Sequence, residues 1–296
     1  MLDRRAFLCG SMVLLATGGC RSPKREIVVG CKNFTEQVIL GEIFARMLEH
    51  ACRVPVLRRF YLAGTYICQQ AILAGRIDVY PEYTGTALAA VLKKKGAGDA
   101  SRVYGDVKRE YWQKFDLAVM PPLGFNNSFA MVMRGDDARR LGLTKLSELA
   151  PQAPHMRLGV GYEFLERQDG YQGLVRSYDL KFEDAPRVMD LGLLYRALHS
   201  RSVDLVAGSN TDGLIRALGL VVLNDDRHYF PPYDAVPIAR PDLFERFPFA
   251  RSAFEQLAGR IGADDMRTMN YAVDGEKRDA AAVAVEFLQH RNLLSQ

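Results

Sequence analysis

Ile27-Val28-Val29-Gly30-Cys31-Lys32-Asn33-Phe34-Thr35-Glu36-Gln37-Val38-Ile39-Leu40 changes period in mid-stretch, and that change decides the fold class. The run Ile27-Val28-Val29 reads as a buried strand, after which Val38, Ile39, Leu40, Ile43, Phe44, Met47 and Leu48 recur at helical spacing. Asn33 followed three residues later by Glu36 has the form of a capping box opening that helix. The alternation continues with a strand over 54–60, a helix from Thr65 to Ala74, a strand at Ile77-Asp78-Val79-Tyr80 and a helix from Thr84 to Lys94. Repeated strand–helix units predict an α/β protein with a mostly parallel sheet covered on both faces.

Further along, elements are expected at Phe129–Met133 and Met156–Gly161, a helix at Leu191–Ser200, and strands at Val203–Ala207 and Leu218–Leu223. The stretch Phe230-Pro231-Pro232-Tyr233 leads to Val236-Pro237-Ile238, and everything beyond Pro241 has helical character, with Val283, Val285, Phe287 and Leu288 on the last segment. Periodicity alone leaves two architectures open: one long sheet, or two lobes joined by two crossings. A length of 296 residues with 48% apolar content allows two domains with real cores. The net charge of +4 comes from 39 basic and 35 acidic residues without a long like-charged run, so no nucleic-acid partner is expected.

At the N-terminus Arg4-Arg5 precede Ala6-Phe7-Leu8, and a weakly polar run from Cys9 to Gly19 ends at Cys20. The run is too short to span a bilayer. Thr17-Gly18-Gly19-Cys20 resembles a lipobox, in which Cys20 is lipidated and begins the mature protein. The arginine pair with Phe7-Leu8 resembles a twin-arginine export signal, although Asp3 and Thr17 depart from the usual residues. The competing reading is an uncleaved hydrophobic anchor. Either way, residues 1–25 are expected to be export signal, lipoprotein leader and linker, and the folded part to sit in the cell envelope, outside the cytoplasm and tethered to the membrane. Cys31, Cys52 and Cys68 remain, so at most one disulfide and one free thiol can form. Neither CxxC nor HExxH occurs, and neither a metal nor a cofactor is expected.

Gly30-Cys31-Lys32-Asn33-Phe34-Thr35-Glu36-Gln37 and Tyr80-Pro81-Glu82-Tyr83-Thr84-Gly85-Thr86 resemble the binding proteins of glycine betaine, choline and carnitine ABC importers. So do Gly124 to Ala130, Tyr162 to Arg167, Thr211-Asp212-Gly213, Tyr229 to Ala235 and Met269 to Gly275, in the family's order over nearly the whole mature chain. The resemblance implies a type II periplasmic-binding-protein fold, two α/β lobes joined by a two-segment hinge. The crossings are placed near Asn127–Ala130 and Pro232–Pro237, making lobe one 26–127 plus 235–296 and lobe two 128–234. A solute would be captured in the cleft by hinge closure and passed to a permease and its ATPase.

A quaternary ammonium has no N–H donor, so it is recognised by ring faces through cation–π attraction. The family's cage positions fall on Tyr83, Phe129, Ser209 and Tyr233, so one position lacks a ring. That loss costs about 1–2 kcal/mol, roughly ten- to thirty-fold in affinity. The chain is then a weak betaine binder, or its ligand is a bulkier betaine-like amino-acid derivative. For a ligand carboxylate the resemblance favours Thr86 and the Cys31-Lys32 loop, here Lys32, with Asn33 and Thr65 at other helix starts. Thr211 and Asp212 line the cleft or cap the helix that follows. Simple capping competes at Asn33, Thr65 and Thr211, and core packing competes at the three rings.

Catalysis has little to build on. Gly159-Val160-Gly161 opens like a dinucleotide fingerprint, but Phe164 stands at the third glycine position. No GxSxG elbow or P-loop is present, and Asp225-Asp226 and Asp264-Asp265 are expected at solvated turns. An enzyme is therefore not expected. A sensory ligand-binding domain on the same fold is the remaining rival.

Overall fold

The computed structural model describes residues 26–94 and 99–294. Two five-stranded sheets form two lobes. The first contains β1 (Ile27–Gly30), β2 (Val56–Arg59), β3 (Val79–Tyr83) and β4 (Ala118–Val119). The second contains β5 (Phe129–Arg134), β6 (Leu158–Val160), β7 (Arg187–Val188), β8 (Leu205–Ser209) and β9 (Leu220–Leu223), after which β10 (Ala235–Ala239) returns to the first. The orders are β2-β1-β3-β10-β4 and β7-β6-β8-β5-β9.

Four of the five strands in each sheet run in one direction, as expected of mostly parallel sheets, and one strand in each is reversed. β1 runs parallel to β2 and β3, but β10 is antiparallel to both β3 and β4. In the second sheet β6 runs parallel to β7 and β8, whereas β5 is antiparallel to β8 and β9. The reason is geometric. Strands fed by βα units end at the cleft, while β5 and β10 start there, directly after a crossing. Thus Tyr83 at the end of β3 faces Ala235 at the start of β10, and Ser209 at the end of β8 faces Phe129 at the start of β5. The two crossings pair with each other: Asn126 bridges Asp234, Asn127 N–H donates to Tyr233 O at 3.0 Å, and Ala235 N–H donates to Phe125 O at 3.1 Å.

Helix α1 (Thr35–Cys52) is buried on nearly every side, because it lies between the first sheet and the C-terminal helices Phe249–Leu257, Ala263–Asp274 and Ala280–His290. Phe44 meets Phe254 edge-on at 5.3 Å between ring centres. The capping box is not formed. Phe34 is the N-cap residue without a side-chain hydrogen bond, and Glu36 turns inward instead. Helix α2 spans Thr65–Leu73, and the expected third helix is a short turn at Thr84–Thr86 that widens into a π-turn at Ala87–Val91.

Cys31, Cys52 and Cys68 are all free thiols, and burial pushes that of Cys31 up to about 12. Asp225 is not a solvated turn residue: it accepts from Tyr178 Oη and from the N–H groups of Tyr229 (3.0 Å) and Phe230 (2.9 Å), which shapes the approach to the second crossing. Asp265 likewise caps its own helix through Gly262 N–H and pairs with Arg291 at 2.5 Å.

Candidate functional site

A cavity of about 330 Å³ lies between the lobes, at the strand ends where open α/β sheets place their ligands. Lys32, Asn33, Tyr83, Thr86, Phe129, Ser209, Asp212 and Tyr233 line it, as drawn from the sequence. Thr65 and Thr211 do not; both are fully buried one step behind the wall. Cys20 and Arg4-Arg5 fall outside the described residues.

The aromatic part of the wall centres on Phe129. Its ring meets Phe164 at 5.0 Å and Tyr233 at 5.8 Å, both edge-on, with Phe230 tilted against it at 5.8 Å. Gly85 makes room for Tyr233, since a Cβ there would come within 2.6 Å of the ring. The Arg167 guanidinium lies 4.8 Å from the Phe129 ring centre and 5.7 Å from that of Tyr233. Arg167 is buried, paired with Asp169 (Nε–Oδ1 2.8 Å, Nη2–Oδ2 2.5 Å), and donates to Thr86 Oγ1 at 3.0 Å. Burial alone would lower its pKa, but Asp169 outweighs it and the guanidinium is held well above its ordinary value. Tyr233 Oη donates to the same Asp169.

Tyr83 stands apart from this ring cluster. Its hydroxyl donates to Glu36 Oε1 at 2.6 Å, and Lys32 Nζ lies 5.1 Å from its ring centre. Ser209 sits directly across from Phe129 on the neighbouring strand, and both line the cavity, with the Tyr195 hydroxyl accepting from Ser209 N–H at 3.1 Å. The Ser209 hydroxyl donates to Asn127 Oδ1 and lies 2.9 Å from Thr211 Oγ1.

The centre of the cavity wall is acidic. Glu36 is buried and accepts four hydrogen bonds: from Tyr83 and from Asn127 Nδ2 (2.6 Å) at Oε1, and from Thr211 Oγ1 (2.5 Å) and Asn270 Nδ2 (3.1 Å) at Oε2. These donors come from both lobes, from a crossing and from the helix Ala263–Asp274, and all are neutral. Burial raises the Glu36 pKa and the four hydrogen bonds restrain the rise. Burial also pushes Asp212 up to about 7, with Asp274 and Glu36 adding to the rise. Asp274 accepts from Thr35 Oγ1 at 2.6 Å and is likewise raised by burial. Lys32 is spent elsewhere, in a buried pair with Glu82. The wall therefore offers ring faces beside Phe129, an arginine bonded to Thr86, and at Glu36 a carboxylate that pairs with no cation among the described residues.

Sequence reasoning missed Glu36, Arg167 and Asn270 on the cavity wall, and Asp169, which holds Arg167 from behind it. Glu36, Arg167 and Asn270 all lie inside the stretches that carry the resemblance, but the spacing of Glu36 from Asn33 reads as a helix cap.

The family model for the substrate binding domain of ABC-type glycine betaine transport systems matches residues 25–290. The carnitine transport binding protein OpuCC of Listeria monocytogenes is 31% identical over 294 residues, covering 99% of this chain and 94% of that protein. The ergothioneine transport permease/ergothioneine binding protein EgtU of Helicobacter pylori is 32% identical over 271 residues, 91% of this chain but 48% of that protein. The crystal structure of a glycine betaine/carnitine/choline ABC transporter protein superposes with a TM-score of 0.75 at 29% identity, covering 90% of this chain and 99% of the other.

Proposed function

The chain belongs to the family of substrate-binding domains of ABC-type glycine betaine transport systems, and from that premise we propose that it captures a quaternary ammonium zwitterion in its interlobe cavity and hands it to an importer permease driven by an ATPase. The observation that carries the reading is the pairing of opposite chemistries on one wall. Ring faces around Phe129 and the carboxylates Glu36 and Asp212 suit a cation without N–H donors, and Arg167 with Thr86 suits its carboxylate. The cavity volume is at the small end of ligand pockets, about 300–1,000 Å³, as fits a compact solute. In this reading lobe one is 26–127 plus 235–296, lobe two is 128–234, and the paired crossings are the hinge.

A second reading concerns ligand size. The ringless Ser209 across from Phe129, together with the EgtU likeness, favours a bulkier trimethylated amino acid such as ergothioneine over glycine betaine itself. Calorimetric titration of refolded, ligand-stripped residues 21–296 with glycine betaine, choline, carnitine and ergothioneine decides between them. Phe129→Leu keeps apolar bulk and removes the ring, so every trimethylated ligand should lose about 1–2 kcal/mol. No heat and no thermal shift at millimolar concentration with any of the four would sink the substrate class.

The reading places the protein in the cell envelope, with Cys20 lipidated and Arg4-Arg5 directing twin-arginine export. A Cys20→Ser protein should lose lipid labelling and leave the membrane fraction; if it still pellets with the label, the lipid anchor is wrong.

A further inference from the structure

Helix α2 starts without a cap of its own. Gly64, at the N-cap position, has no side chain to offer, and the buried Thr65 hydroxyl meets no partner among the described residues. The first N–H groups of a helix have no intrahelical acceptor, so the Thr65 N–H must find one elsewhere. It finds it in the other lobe: Glu163 Oε1 accepts it at 2.7 Å, and Tyr162 Oη lies 3.3 Å from the same oxygen. Gly64 shapes the contact, because a Cβ there would collide with the Glu163 carboxylate and the Tyr162 hydroxyl. Its φ of −144° is open to any residue, so the contact uses its smallness and not its flexibility. Gly64, Tyr162 and Glu163 all face the cavity.

We propose that Glu163 is a specificity-determining residue that couples lobe closure to ligand choice. Its carboxylate caps α2 from across the cleft, which latches the lobes. The same carboxylate fills the anion position at that helix terminus, where backbone N–H groups and the helix dipole would otherwise welcome a ligand carboxylate. A ligand carboxylate is thereby kept from α2 and directed to Arg167 and Thr86. The latch stands on the geometry alone, while the steering rests on the zwitterion reading above.

Removing Glu163 then has two opposed effects. Every ligand loses the help of the latch, but a ligand with a carboxylate regains a partner at α2. Glycine betaine and choline are the matched probes, since both carry trimethylammonium and choline lacks the carboxylate. In Glu163→Ala the affinity ratio of glycine betaine to choline should rise about three- to tenfold, the range of one charge at a helix terminus.

The latch is read without any ligand, from hydrogen exchange of the Thr65 amide followed by NMR in the whole protein. Exchange should quicken at least about tenfold in Glu163→Ala and also in Gly64→Ala, which expels the carboxylate without changing it. Glu163→Gln keeps an acceptor oxygen and should stay near the wild-type rate. Unchanged exchange in both alanine variants overturns the latch. Equal losses for the two solutes in Glu163→Ala overturn the steering. If neither solute binds the wild type, the zwitterion reading and the steering fall together, and the exchange rates still judge the latch.

Discussion

Two regions of the cleft wall each bury a carboxylate, and they treat it in opposite ways. At the β1–β3 end Glu82 is fully buried against the ammonium of Lys32 and also accepts from Tyr83 N–H at 2.8 Å. In the middle, Glu36 is held by four neutral donors and, among the described residues, by no cation. The Lys32 ammonium matches the Glu82 charge at close range, whereas the neutral donors around Glu36 stabilise its anion and leave more of its field for others to feel. The first region therefore builds the wall, and the second is the one that the proposed function uses for the ligand's cation.

The largest effect should come from breaking the paired region. Lys32→Met leaves Glu82 buried without its cation, and its Oε2 already lacks a partner among the described residues. Removing one member of a buried pair costs about 3–5 kcal/mol. Calorimetric melting should show a drop larger than that of any conservative change at Glu36, and an unchanged midpoint would overturn the structural role given to the Lys32–Glu82 pair.

Next comes Glu36→Gln. The amide keeps the shape but presents N–H groups toward Asn270 Nδ2, itself a donor, and it removes the unmatched charge. Leaving buried donors opposed costs about 1–3 kcal/mol of stability, and the lost carboxylate charge should lower affinity for a trimethylated cation roughly tenfold. A neutral isostere should be affected far less; equal losses for both in a titration would make Glu36 a wall residue like Glu82.

The smallest effect is a pH dependence arising beside Glu36. Asp212 is pushed by burial up to about 7 from an ordinary 3.8, so over that interval the folded chain holds a proton that the unfolded chain has released. Stability from this group is full below about pH 4, falls as pH rises toward about 7, and is level beyond. A bound cation favours the anion and expels the proton. Affinity for a trimethylated ligand should therefore climb several-fold between about pH 5.5 and 8, and Asp212→Asn should flatten the slope. A slope that persists in Asp212→Asn would assign the proton to another group.

Much of the fold was legible because its signals are local. The change of period at Gly30, the apolar spacing along α1 and the strands around 79 and 205 are written in neighbouring residues. The directions of β5 and β10 were not, since antiparallel entry depends on where the chain re-enters a lobe and leaves no mark on the strand itself. Tyr83, Phe129, Ser209 and Tyr233 came from resemblance, and the structure places them on one cavity. Glu36 was hidden by degeneracy: three residues after Asn33, it matches a helix cap as well as it matches a site. Its partners Asn127, Thr211 and Asn270 are far away in sequence, and only the folded chain brings them together.

The placement of β10 between β3 and β4 sets a timetable for synthesis. Until residues 235–239 emerge from the ribosome, β3 has an open edge and β4 has no strand to pair with, although both were made more than a hundred residues earlier. The helices that cover α1 come later still. The second sheet, by contrast, is drawn from one continuous stretch and can pair as soon as β9 is complete. The half made first is thus the half finished last, and during that wait an unpaired, apolar edge is exposed to other chains.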